Sequence, residues 1–169
     1  MLRSAYSKRP SQATDLEVRL MQLQIAEALA KLGDASQRQA IQAAMFPEGP
    51  GDLELTALAA QIVGVLREKS LENQLVYLTA YWDAQQNYMP AEVRLAAARS
   101  LAQLGQGSGG FIADEHVSSE RPAIRAQAAM VYGAIGDKSA LGTLDRLLRD
   151  ESALVRVAAA RAVLDVLSR

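Results

Sequence analysis

The sequence contains no cysteine, a single histidine and a single tryptophan, and aromatic residues make up only 5% of it. Without cysteine there can be no disulfide, no thiol nucleophile and no Cys-ligated zinc, and the redox compartment is left open. Few aromatics argue against a β-rich core, which draws on aromatic and β-branched side chains. No apolar run approaches the roughly 18 residues of a membrane-spanning helix. The net charge is −1, so there is no bulk electrostatic pull toward nucleic acid or an anionic membrane. The opening stretch MLRSAYSKRPSQAT has charge but lacks the apolar centre of a secretory signal. Residues 1–13 read as a disordered N-terminal arm or an artificial edge, and 14–169 as one domain. A cytoplasmic location is favoured, with an exported fragment and a missing upstream signal left open.

What the chain does have is alanine, the leading residue in a sequence that is 50% hydrophobic. Small side chains in that proportion fit closely packed helices, and 169 residues suffice for a substantial core. The sequence also repeats itself. VRLAAARSL (93–101) returns as IRAQAAMVY (124–132) and as VRVAAARAV (155–163), so Arg94, Arg125 and Arg156 stand 31 residues apart. Gly105 and Gly136 keep the same spacing. Two weaker copies precede them, IAEALAKLGD (25–34) and LAAQIVGVL (58–66), and the second lacks the closing glycine.

Within each copy the period is helical. Val93, Ala97, Leu101 and Leu104 fall at i, i+4, i+8 and i+11, one face of a helix. TDLE (14–17) is a capping-box pattern, Pro90 and Pro122 suit a first turn, and Gly33, Gly105 and Gly136 suit the residue after a helix. The signals predict helices over 15–32, 53–67, 90–104, 122–135 and 153–167. Shorter amphipathic stretches at 35–46, 70–86, 109–118 and 138–149 alternate with them. Long and short helices joined by tight polar turns make a solenoid, in which each pair buries its apolar face only by stacking on the next.

The phrases AEVRLAAARSLAQLG (91–105), PAIRAQAAMVYGAIGD (122–137) and SALVRVAAARAVLDVL (152–167) resemble the second helix of HEAT repeats. The 31-residue spacing and the Gly-Asp turn resemble the short HEAT-like repeats of phycobilisome-lyase-type proteins. The resemblance is specific over 90–169 and weaker over 15–89. It implies an all-α fold, a right-handed α-α superhelix of the HEAT/armadillo-like kind with about four to five helix pairs. It also implies that second helices line a concave groove used to bind other macromolecules.

Several motifs invite a chemical reading. Arg94 lies about 100° round from Val93, where a guanidinium can bridge to the adjacent repeat; Glu92, Glu120, Asp137, Asp150 and Glu151 are the expected acceptors. In GQGSGG (105–110), Gly105, Gly107 and Gly110 satisfy the bare dinucleotide pattern. They follow a helix rather than a strand, so a helix cap and turn is the reading. His116 beside Asp114 and Glu115 does not supply the convergent donors of a metal site, and its repeat counterpart is Leu147; a satisfied, half-buried histidine is expected. Tyr77 and Tyr81, near Trp82 and Tyr88, form a possible aromatic patch, with Trp82 continuing the Leu71, Leu75, Leu78 stripe.

Opposite the stripe around Val93 lie Leu95, Arg99 and Ala102. The period carries these to Ala126, Met130 and Gly133, then to Val157, Arg161 and Leu164. The weaker copies add Leu23, Glu27 and Ala30, then Ala57, Gln61 and Gly64. Leu95, Arg99, Met130, Val157, Arg161 and Leu164 are therefore the expected partner-binding row.

The expected function is a non-catalytic scaffold that binds a protein or peptide in this groove, with no catalytic, cofactor or metal residues assigned. The alternatives are a chromophore-handling, lyase-like role resting on His116, Asp114 and Tyr81, and a fragment of a larger repeat protein. Nucleic acid is not expected, because Glu27 and Gln61 interrupt the row. The terminal helices also leave room for an end-to-end homodimer or a longer solenoid.

Overall fold

A computed structural model of the protein describes residues 4–5, 12–80 and 87–169. Among them, α-helices alternate long and short: α1 (Asp15–Lys31), α2 (Arg38–Ala44), α3 (Leu53–Val65), α4 (Glu72–Leu78), α5 (Ala91–Gln103), α6 (Gly110–His116), α7 (Pro122–Ile135), α8 (Leu141–Leu147) and α9 (Ala153–Leu167). A single 3-10 turn leads into each short helix. The chain is an all-α solenoid, as its period predicts. The expected stretch 70–86 is shorter than foreseen. Its helix stops at Leu78, with Thr79 as the cap, and residues 81–86, Tyr81 and Trp82 included, lie outside the described residues.

Long helix stacks on long helix: α3 on α5, α5 on α7 and α7 on α9 are the most extensive packings. The short helices cover the opposite side. The stripe Val93, Ala97 and Leu101 is buried, as are Leu144 and Leu147 in α8 and Leu71, Leu75 and Leu78 at α4. Two apolar clusters result, and α5 belongs to both. Val93, Ala96, Ala97 and Leu101 face the N-terminal cluster, while Leu95 and Ala98 face the C-terminal one.

Helix ends follow local chemistry. At α1 the Thr14 amide donates to Glu17 Oε2 at 2.8 Å, and the Glu17 amide returns a bond to Thr14 Oγ1 at 3.2 Å, a complete capping box. The long helices α1, α5 and α7 end on Gly33, Gly105 and Gly136 with φ of 86°, 97° and 76°. In α1 the Asp34 amide reaches back to the Leu29 carbonyl at 2.9 Å, and in α5 the Gln106 amide reaches Leu101 at 2.8 Å; this is the Schellman closure. The same bond at α3 runs from Glu68 to Val63 at 3.0 Å, and the residue in the left-handed position is Arg67, at φ 53°. This is where the second copy lacks its glycine.

After each closure comes one turn in four copies: GDAS (33–36), REKS (67–70), GQGS (105–108) and GDKS (136–139). Asp34 accepts the Ser36 amide at 3.1 Å and Asp137 the Ser139 amide at 2.9 Å. Glu68 accepts the Ser70 hydroxyl at 2.7 Å. GQGSGG is one instance of this repeat turn, which accounts for its glycines without a nucleotide.

The stacking is close enough to exclude single carbons. A Cβ on Gly133 would sit 2.7 Å from Ala162 Cα, and one on Gly64 would sit 2.7 Å from Ser100 Cα. Beside the second contact, the Ser100 hydroxyl donates to the Ala60 carbonyl at 2.7 Å, satisfying a buried group between α5 and α3.

Two stability changes of opposite sign are expected. Gly133→Ala forces α7 and α9 apart and should cost about 1–3 kcal/mol in urea unfolding, despite alanine's better helix propensity. Arg67→Gly relieves a left-handed arginine and should stabilise by up to about 1 kcal/mol in the same assay.

A candidate binding groove on the long helices

The part of each inner long helix left to solvent is a narrow stripe. Nine of the thirteen residues of α5 are buried, and Glu92, Arg99 and Gln103 remain on one side. In α7 the corresponding row is Ala123, Gln127 and Met130; in α3 it is Glu54, Leu58, Gln61 and Val65. In α9 it is Leu154, Arg161 and Asp165. These rows line up across the stack as a groove with two clefts.

The first cleft, about 610 Å³, lies toward the N-terminal ends of the long helices. Leu20, Leu53, Leu58, Glu54 and Glu92 line it, and so does Gln127, whose buried Oε1 has no hydrogen-bond partner among the described residues. The second, about 680 Å³, lies toward the C-terminal ends and spans α3, α5, α7 and α9. Arg67, Arg99, Arg161 and Arg169 line it with Met130, and Asp165 is its one carboxylate. Arg161 pairs with Asp165 at 3.0 Å, one helical turn on. Arg169 donates to the Ile135 carbonyl at 3.3 Å. Arg99 is half-buried and has no hydrogen bond or ion pair among the described residues. Burial lowers its pKa, with Asp165 raising it and Arg161 lowering it further.

The sequence-derived row divides on this geometry. Arg99, Met130 and Arg161 line the second cleft. Leu95 does not reach the groove: it is 1% exposed and packed in the C-terminal cluster. Its counterpart Ala126 is buried too. Val157 and Leu164, at 69% and 66% exposed, lie on the side of α9 that corresponds to the side on which Leu95 and Ala126 of the earlier helices meet the next long helix. The physical reason is that an inner helix of a stack is covered on three sides. Its solvent stripe therefore falls beside, not opposite, the main apolar face.

The arginine series closes the stack elsewhere. Arg94 and Arg125 are buried at 5% and 8% exposure. Arg125 forks onto Asp150, Nε to Oδ2 and NH2 to Oδ1, both at 2.8 Å, and donates to the Ser119 carbonyl at 2.7 Å. That hydrogen bond holds the Asp150 carboxyl below the usual carboxylate range. Arg94 donates to the Thr79 carbonyl at 3.1 Å and to Glu115 Oε2 at 2.7 Å, and its guanidinium sits 4.6 Å from the Tyr88 ring centre. Arg156 donates to the Asp150 and Glu151 carbonyls at 2.8 and 2.9 Å but is exposed. Among the expected acceptors, Asp150 and Glu151 receive Arg125. Glu92 pairs with Arg121 instead, and Asp137 caps its own turn. Glu115 was not foreseen; its repeat counterpart is Arg146, so the period gave no hint of a carboxylate there.

Of the residues of the catalytic alternative, Asp114 is engaged structurally, and Tyr81 lies outside the described residues. Asp114 accepts the buried Tyr132 hydroxyl at 2.6 Å; burial first, and then this hydrogen bond, push the Tyr132 pKa up. Glu115 receives Arg94. His116 is half-buried as expected, yet not satisfied, since its buried Nε2 has no partner among the described residues. Burial first, and then the Arg94 charge, depress its pKa against the opposing pull of Glu115 and Glu92. Among the described residues no three or more His, Asp or Glu side chains come together as metal ligands. Tyr77 is 49% exposed and lines a 290 Å³ hollow with Phe46, Pro47 and Met89. Phe46, just past α2, was missed because it lies outside the helical stripe.

A family model described as HEAT repeats matches residues 112–166, the segment from α6 through α9. It covers HEAT repeats in general and does not single out the lyase-type subclass. Among curated proteins no match is found.

The histidine yields a test with a defined sign. Its folded pKa lies below its ordinary value of 6.5, so the unfolded chain binds the proton more readily. Stability should fall as pH drops from neutrality through about 6.5 toward the lower folded pKa. His116→Leu, which copies Leu147, should remove this part of the pH dependence and add about 1 kcal/mol by eliminating an unpartnered buried nitrogen. Urea midpoints at pH 7.5 and 5.5 check both effects; an unchanged pH slope in the variant would refute the assignment.

Proposed function

We propose that this all-α solenoid, which matches HEAT repeats over residues 112–166, is a non-catalytic scaffold holding a protein or peptide partner along the groove of its long helices. The observation that carries this reading is the groove itself. It offers two adjoining open clefts, one apolar with glutamates and one basic, across α1 to α9. A surface of mixed leucine, methionine, glutamine and arginine suits a polypeptide that presents both apolar and charged side chains. The two carboxylates beside His116 support it from the other side, because Asp114 and Glu115 already accept hydrogen bonds from Tyr132 and Arg94.

No helix among the described residues is long and apolar enough to cross a membrane.

Site-directed photo-crosslinking in cells expressing the protein tests the proposal. A crosslinking residue in place of Met130, in the groove, should give discrete protein adducts. The same residue in place of the exposed Asp145, on the short helix α8, should not. Equal adduct patterns from both positions would count against a groove partner.

A further inference from the structure

We propose that the cleft at the C-terminal ends of the long helices is a recognition site for an acidic polypeptide segment, one that sets carboxylates against Arg67, Arg99 and Arg161 and an apolar side chain against Met130. The inference rests on the scaffold reading and names the chemistry of the partner.

Three observations converge on it. Four arginines line one 680 Å³ cleft against a single carboxylate, in a chain whose net charge is −1. Most acids elsewhere have local partners: Asp34, Asp137 and Glu68 in turns, and Glu92, Glu115 and Asp150 with arginines. In the cleft the balance is reversed, and Arg99 and the Arg67 side chain have no partner among the described residues. Helix-end electrostatics accounts for Arg169, which caps the Ile135 carbonyl at the end of α7, but not for Arg99, which lies within α5 and caps no carbonyl among the described residues.

Arg67 supplies the second argument. The equivalent turns carry glycine at φ 86°, 97° and 76°, where the left-handed backbone costs nothing, and Arg67 takes the same position at φ 53°. An arginine there is a local loss of stability, and the residue borders the cleft. Third, half-buried Arg99 is already partly dehydrated. A carboxylate reaching it recovers a charge-assisted hydrogen bond at little further desolvation.

A peptide fits this groove better than a nucleic acid. A phosphate backbone continuing into the adjoining cleft would meet Glu54 and Glu92 beside Leu20, Leu53 and Leu58. A polypeptide can change from acidic to apolar along its length, as the groove does.

The test is fluorescence anisotropy with a short labelled peptide alternating glutamate and leucine, its glutamine-for-glutamate counterpart, and single-stranded DNA. The glutamate peptide should bind the full chain, and binding should weaken with salt. The double substitution Arg99→Gln and Arg161→Gln should weaken it at least about tenfold, whereas Arg99→Lys with Arg161→Lys should retain most of it. Arg67→Gly should lower affinity while raising stability, a pairing of signs that damage to the fold cannot produce. Equal binding of the glutamine peptide, or unchanged affinity in the Arg67→Gly variant, would overturn the proposal, and tighter binding of DNA would reassign the cleft to phosphate. If Met130 crosslinks persist while no acidic peptide binds, the scaffold reading survives and this inference fails. If the crosslinks are absent as well, both fail.

Discussion

Close approach between successive long helices is the constraint from which the rest of the molecule follows. Gly133 against Ala162, and Gly64 against Ser100, leave no room for a further carbon, and the alanine triplets extend those contacts along each helix. Packing at this distance gains dispersion and burial with small side chains, which is why an alanine-rich sequence poor in aromatics can still form a core. It also sets what remains exposed. Once α5 has neighbours on both flanks and short helices behind, only the row of Glu92, Arg99 and Gln103 is left to face outward. The groove is thus a by-product of stacking, and its chemistry resides in the few positions that stacking does not dictate.

That distinction explains what could be read from the residues and what could not. Period, helix ends and caps are local properties. The 31-residue spacing, Thr14 with Glu17, and the glycines at 33, 105 and 136 placed the long helices within two residues of their observed ends. The flank position of Arg94 follows from helix geometry alone, and so does its reach toward the next repeat. The groove register is different, because it depends on how many neighbours a helix has. A two-faced helix would put Leu95 opposite Val93 and in solvent. A helix with two flanking partners buries both, at 1% exposure each, and moves the open row by about 100°. Arg99, Met130 and Arg161 fall in the cleft under either picture because they sit between the two directions.

The α9 helix shows the same rule from its other side. Val157, Leu164 and Leu167 are 61–69% exposed, and Val157 occupies the position held in α5 and α7 by buried Leu95 and Ala126. Identical repeat positions differ in burial only because the earlier helices each have a following long helix against them. Sequence pattern specifies which face can be covered; the neighbour specifies whether it is. The arginine series behaves likewise. Arg94 and Arg125 are buried because a later turn or short helix supplies Glu115 and Asp150, while Arg156, with the same carbonyl contacts to its own preceding turn, stays exposed.

Charge has to be counted by place rather than by total. A net charge of −1 argues against a bulk attraction to polyanions. Stacking nevertheless partitions the charges. Carboxylates collect in the turns between helices, where they cap amides or meet the buried arginines, so their field is largely neutralised within a few ångströms. Arg67 and Arg169 border the cleft beside turns of this kind, yet Asp34, Glu68 and Asp137 there are already engaged with serines of their own turns. A nearly neutral chain can therefore present a basic cleft. Its preference among anionic partners is set by what flanks the arginines, Met130 within the cleft and leucines with glutamates beyond it, more than by the arginines themselves.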